Sequence, residues 1–240
     1  MDGAAAPGGA GRALLGVLAG RHAAGFLRRH RLPAIAQDAA EEMRALVAGR
    51  DATLLQHASW LAATMEEKPM HVLMGYADRL RPAVLWFRQI WAESLGKDGK
   101  GSTPVNALGA IDQHSQLQLY LDGPRDKTLT LWLPDIPEEG KPLPVTGVHS
   151  LDYLAGHTMA DVMKVSGDAT AATLARHGVP LRVLRGPLSP SSLARWMARS
   201  MLETLLVALM VGIDPYDQPA VEESKQLART QLAAMKDQRA

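Results

Sequence analysis

Three short apolar runs constrain this chain most: PMHVLM at 69–74, KTLTLWL at 127–133 and VPLRVL at 179–184. The first lies between Pro69 and Gly75, and the second ends at Pro134. Short, nearly continuous apolar runs suit strands covered on both faces, as in a parallel sheet. Helix-period stretches alternate with them. Ile35, Ala39, Met43 and Leu46 mark a helix over 33–49, and Asp51 caps a second that turns Leu54, Leu55, Ala58 and Leu61 inward. A third covers 78–95, with Trp86, Ile90 and Trp91 as its apolar face. Thr158 and Asp161 form a capping box for a helix that ends at His177 before Gly178. The stretch 189–211 is apolar enough to be largely buried. A last helix, over about 219–236, is polar on one face and follows an Asp217 cap. Strands alternating with helices predict a parallel α/β layer fold.

Composition narrows the function classes. The 240 residues, 47% hydrophobic and 21% charged, suffice for a sizeable core. A net charge of +1 gives no electrostatic reason to expect nucleic acid or acidic membranes as partners. The absence of cysteine removes disulfides and thiolate chemistry and fits a reducing compartment. The most apolar run, 205–213, falls short of the roughly 20 residues of a spanning helix. Residues 1–31 differ from the rest: Ala and Gly dominate, with five Arg, one acid and no Ser. They read as a poorly ordered extension, so that the domain proper begins at Leu32 and runs to residue 240. The loop 137–144, rich in Pro, Gly and charge, belongs at the surface.

The chemistry-bearing stretch is 86–118. Glu93 lies near the exit of one helix and His114 near the start of the next, either side of a Gly- and Lys-rich turn at 96–101. A carboxylate and an imidazole at helix ends facing loops are what proton transfer needs. Taken alone, each has a bland alternative: Glu93 as a solvated helix-end acid, His114 as a cap, Lys225 as a solvated lysine. The turn is no phosphate loop, because Ser102 rather than Lys follows Gly101. His22, His30, His57, His71, His149, His157 and His177 show no metal-ligand spacing. Trp and Met at helical spacing are core material.

Two blocks add a resemblance. AESLGKDGKGSTPV at 92–105 with GAIDQHSQLQLYLDGP at 109–124 resembles the catalytic region of glucose-6-phosphate isomerases. GIDPYDQPAVEESK at 212–225 is similar to that family's C-terminal signature, with Tyr216, Asp217, Gln218, Ala220, Val221, Glu222 and Lys225 at its defined positions. The likeness covers roughly residue 32 onward, the second half of such an enzyme. It implies an α/β three-layer parallel-sheet sandwich of the sugar-isomerase (SIS) type, incomplete relative to the full enzyme. It also implies aldose–ketose isomerisation of glucose 6-phosphate and fructose 6-phosphate through a cis-enediol, without cofactor or metal, in the cytoplasm.

By the same resemblance Glu93 is the base that moves the proton between C1 and C2. His114 helps open the ring and reaches the neighbouring active site of a homodimer. Lys225 contacts ring or hydroxyl oxygens, and Gln89 and Gln218 touch the sugar. Two family features have no counterpart: the Ser/Thr-rich phosphate loop, and a Gly-Gly-Arg-aromatic-Ser motif reduced here to Gly11-Arg12. The expectation is a truncated or misframed start. Three readings follow: an isomerase lacking its N-terminal half; an inactive fragment of a longer isomerase or transaldolase–isomerase fusion; or a non-catalytic sugar-phosphate-binding or dimerising domain. In any of them, the helix 189–211 and the faces of Trp86 and Trp91 are expected to lie bare and to drive self-association.

Overall fold

The computed structural model describes residues 32–136, 140–145, 147 and 149–237. The expectations for residues 1–31, and part of the loop 137–144, lie outside the described residues. Four strands form one parallel sheet: β1 (Met70–Gly75), β2 (Thr103–Leu108), β3 (Lys127–Asp135) and β4 (Leu181–Pro187), in the order β2-β1-β3-β4. The helices are α1 (Leu32–Val47), α2 (Ala52–Thr64), α3 (Arg81–Leu95), α4 (Ile111–Asp122), α5 (Met159–Arg176), α6 (Pro190–Val211) and α7 (Glu222–Asp237). The parallel α/β reading therefore holds. One strand, β2, was absent from the sequence reading. It is an edge strand, and only Ala107 and Leu108 at its end are buried, so it carries no continuous apolar run.

β3 is buried from Lys127 to Pro134 and passes through the proline expected to end it. Its pairing with β1 stops at Trp132, and beyond that only β4 flanks it. With no ladder required on the open side, a residue lacking N–H is tolerated. Side chains alternate between two cores. Val72, Met74, Leu129, Leu131 and Leu133 pack with Tyr120 of α4 and Ala171 and Leu174 of α5. Leu73 and Trp132 pack on the other face with α2, α3 and α6.

Several helix expectations change. Leu55 is exposed, while Leu54, Ala58 and Leu61 are buried as expected. Trp86 and Trp91 are not bare: they are 2% and 0% exposed. α6 covers this side, its Trp196 lying 5.7 Å from the Trp86 ring and 4.4 Å from Trp132. α6 itself is only partly buried, because its outer side faces α1 through charge. Arg195 pairs with Asp38, and Arg199 with Glu42 and Asp51. Among the described residues Asp217 is seen to cap no helix; its carboxylate accepts from the N–H of Gln218, and the chain enters α7 through a short 3-10 turn at Pro219–Val221. The Asp51 cap and the Thr158–Asp161 capping box are both formed.

A polar chain crosses the core on the α6 side. Arg182 Nη1 of β4 donates to Glu203 Oε1 of α6 at 2.5 Å, with both side chains under a tenth exposed. Arg182 Nε donates to Thr130 Oγ1 at 3.2 Å, and His71 Nε2 lies 3.1 Å from the same hydroxyl. Burial, and Arg182 nearby, push the fully buried His71 down to about 3. The unfolded chain therefore binds a proton that the native state refuses between about pH 6.5 and 3. The stabilising effect is complete above pH 6.5 and is lost as pH falls through that window. The expected slope is up to about 1.4 kcal/mol per pH unit. Urea unfolding at stepped pH should show this fall, and His71→Phe should flatten it.

Candidate active site

Glu93 stands in the last turn of α3, the helix fixed by buried Trp86, Phe87, Ile90 and Trp91. Ring packing of Phe87 on Trp91 at 5.3 Å, and of both on His71, sets the rotation of α3 on the sheet. That rotation leaves Gln89 and Glu93 outside, one turn apart. Gln89 Nε2 donates to Glu93 Oε1 at 3.0 Å. Gln218 Nε2, 125 residues further along the chain, donates to Glu93 Oε2 at 3.3 Å. Each carboxylate oxygen thus receives one neutral amide donor. The flank of α3 and the start of β2 enclose an open groove of about 820 Å³ lined by Trp86, Arg88, Gln89, Glu93, Thr103 and Pro104. This lies in the range of small-molecule sites. The indole Nε1 of Trp86 is buried without a partner among the described residues.

His114 lies elsewhere. It is exposed in the first turn of α4, at the helix start where the sequence puts it. Its neighbours are fixed: Asp112 Oδ2 accepts from the N–H of Leu108 at 2.5 Å, and Tyr76 donates to Gln113 Oε1 at 3.2 Å. The turn into α4 is tight, with Ala110 at φ 65° and the Tyr76 ring occupying the space of a Gly109 side chain. Glu93 adjoins the first residues of β2 and His114 follows its last, so the two lie at opposite ends of a strand of roughly 17–20 Å. Lys225 is exposed on α7, where its Nζ donates to Glu222 Oε1 at 2.6 Å. Among the described residues neither His114 nor Lys225 hydrogen-bonds to Glu93, Gln89 or Gln218. Three of the five expected residues are brought together, and two are not.

Two lysines of the Gly- and Lys-rich turn, not among the expected site residues, complete the junction. Lys97 Nζ donates to the carbonyl of Asp214 at 2.5 Å, and Lys100 Nζ to those of Val211 and Gly212 at 3.0 and 3.3 Å. The signal available was Lys-Asp-Gly-Lys, a tight-turn sequence that places two lysines side by side. A second depression, at the other end of the sheet between Tyr76, Asp135, Asp168 and Arg185, is only about 100 Å³, room for a few waters. No cluster of metal-ligating side chains occurs among the described residues, and no described helix is long and apolar enough to cross a membrane.

Comparison with known proteins gives the context for this junction. No protein-family model matches the chain. A glucose-6-phosphate isomerase of Rubrobacter xylanophilus is 40% identical over 168 residues, covering 68% of this chain and 38% of that protein. A probable glucose-6-phosphate isomerase of Halobacterium salinarum is 42% identical over 164 residues, with the same two coverages. Over that span the chain is a homologue of glucose-6-phosphate isomerase. It spans less than half the length of these relatives. A crystal structure of a hypothetical protein from Thermus thermophilus superposes with a TM-score of 0.77 at 35% identity, over 84% of this chain and 50% of that one. A glucose-6-phosphate isomerase from Chlamydia trachomatis shares the fold, with a TM-score of 0.60 at 18% identity over 76% of this chain and 38% of its own.

Glycines in the turn after α3 test how tightly the junction is built. A Cβ on Gly101, at φ 94°, would sit 2.3 Å from the Leu95 carbonyl oxygen, whereas one on Gly99, at φ 69°, would meet nothing within 4 Å. Gly99→Ala should cost about 1 kcal/mol from backbone conformation alone. Gly101→Ala should cost about 2–3 kcal/mol, because strain and clash add. Urea unfolding of the two variants checks the difference.

Proposed function

We propose that this chain carries the proton-transfer part of a glucose-6-phosphate isomerase site, with Glu93 as the base. The observation that supports this best is the meeting of the two family-like blocks at one carboxylate: Gln89 on one oxygen, Gln218 on the other, and a groove beside them. In the proposed reaction Glu93 takes the C2 proton of open-chain glucose 6-phosphate. The C–H electron pair forms the C1–C2 double bond as the C1=O π pair moves to O1, which takes a proton to give a cis-enediol. O2 then releases its hydroxyl proton as C2=O forms, and the same carboxylate returns the first proton to C1 to give fructose 6-phosphate. One base serving both carbons, with the proton neither gained nor lost overall, needs a carboxylate held in a single orientation. Gln89 and Gln218 supply that hold and border the sugar.

The remaining roles rest on homology and on the distance between the ends of β2. His114, on the opposite end from Glu93, is proposed to assist ring opening at the site of a second copy, so the working unit is a homodimer. Its exposure in the first turn of α4 leaves the imidazole available to such a neighbour. Lys225, on exposed α7, is proposed to contact ring or hydroxyl oxygens once substrate is present. The phosphate grip and the donor opposing the enediolate are assigned to the part of such enzymes that this chain does not match. The reading places the chain in glycolysis and gluconeogenesis, in the cytoplasm, with residues 32–240 as the SIS-type domain.

The test is a coupled dehydrogenase assay in both directions, on this chain completed by the remaining part of a glucose-6-phosphate isomerase. Turnover without added cofactor is expected, and Glu93→Gln should lower kcat by about 10³-fold or more with folding unchanged. A variant that keeps its rate rejects the base assignment. Mixing Glu93→Gln with His114→Ala chains should restore part of the activity, because a mixed dimer holds one site with both groups. No recovery on mixing, where each variant alone is dead, would place His114 and Glu93 in one chain's site or outside any site.

A further inference from the structure

We propose that Lys97 and Lys100 are positioning residues: together they hold the 212–218 loop on the turn after α3, and thereby hold Gln218 on Glu93. The proposal rests on the reading of Glu93 as the site's carboxylate. Asp98 and Gly99 both have positive φ, 53° and 69°, and the N–H of Lys100 donates to the carbonyl of Lys97 at 2.8 Å. This is the pattern of a type I′ turn, which sets residues i and i+3 side by side. Gly101, whose Cβ position is taken by the Leu95 carbonyl, locks that turn onto the end of α3. Two ammonium groups therefore leave one rigid turn together, a few residues after Glu93.

Their targets are the last carbonyls of another helix. α6 ends at Gly212 in the left-handed conformation, φ 70° and ψ 48°, and the N–H of Ile213 reaches back to the Ala208 carbonyl at 2.8 Å. This closure satisfies part of the helix end but leaves the carbonyls of Val211 and Gly212 pointing outward. The negative end of the helix dipole is there as well, so a lysine is the side chain that suits the place. Lys100 takes both carbonyls, and Lys97 takes that of Asp214. Ile213 between them is buried in the α3–α6 core. Beyond it, Asp214 accepts from the N–H of Tyr216, and Asp217 from that of Gln218, so the loop folds on itself toward Glu93. The segment leading to Gln218 is thus tied to the helix that carries Glu93. Remove the ties, and Gln218 hangs on a loop whose later residues, Tyr216 and Asp217, are exposed.

The experiment needs no turnover. In the 240-residue chain, Lys97→Met with Lys100→Met keeps most of the apolar stems and removes the donors. Amide hydrogen exchange over 213–218 should quicken by about tenfold or more, while β1 and β3 keep their protection. In the parent, Glu93→Gln should shift the side-chain amide resonance of Gln218; in the methionine background it should not. Lys97→Arg with Lys100→Arg, which keeps both donors, should bring the dependence back. Each single methionine variant serves if the pair does not fold. Unchanged exchange over 213–218, or a Gln218 resonance that still responds to Glu93→Gln in the methionine background, overturns the proposal. In the completed enzyme the methionine pair should lower kcat by about tenfold with KM little changed, the signature of misplaced groups at the reacting centre. If Glu93→Gln leaves turnover intact, the reading of Glu93 falls, while the exchange and resonance results still judge the lysines.

Discussion

The pairing of Arg182 with Glu203 decides where α6 sits. Both are buried, one on β4 and one on α6, and a buried charge without its partner is strongly unfavourable. Breaking such a pair by removing one member typically costs about 3–5 kcal/mol. Arg182 is itself fixed by Thr130 on the neighbouring strand, so the pair sets the register of α6 on the sheet. Register along a helix is position at its end. Nine residues after Glu203, α6 stops at Gly212, and its last carbonyls arrive where Lys97 and Lys100 wait. The core therefore transmits its order to the surface junction at Glu93.

The sheet topology explains why one chain cannot bring all the expected residues together. In a parallel α/β unit the helix returns antiparallel to its strands, so the end of α3 lies beside the starts of the strands. The loop after β2 opens at their other ends. Glu93 belongs to the first place and His114 to the second, and no loop motion moves a group past the length of β2. The proposed site, which uses both groups, is accordingly one that takes them from two copies. The alternative of a non-catalytic domain does not require this separation, nor does it explain two amides arranged on the two oxygens of one carboxylate.

How much of this was legible depended on continuous apolar runs. β1 and β3, covered on both faces, carry them; so does β4, although it is an edge strand with no residue fully buried; β2, an edge strand with Pro104 and Asn106, does not. The capping residues Asp51 and Thr158 were readable because a cap is local chemistry. Asp217 misled because the same Asx chemistry serves a turn as readily as a helix start. Trp86 and Trp91 were legible as apolar but not as covered: their partner, Trp196, lies more than a hundred residues away, and only tertiary packing shows the contact. Glu93 was found through its flanking residues, yet the ties of Lys97 and Lys100 were not. A lysine bonded to a backbone carbonyl leaves no mark in the sequence of its partner.

Gln89 is tied to Glu93 by helical periodicity alone, one turn away on a rigid helix. Gln218 comes from a loop, and loops supply position only when something else is rigid. Here the rigid parts are a glycine-locked turn on one side and a helix end on the other, joined by two ammonium groups that also neutralise the helix's negative pole. Both donors to the carboxylate are neutral amides, which orient it without placing a compensating charge against it. For a group proposed to take up a proton and release it within one turnover, this distinction matters. A guanidinium in the place of Gln218 would set a full positive charge against Glu93, whereas an amide fixes its geometry with a neutral donor. The lysines, whose charge would do the same, are spent on backbone carbonyls rather than on Glu93.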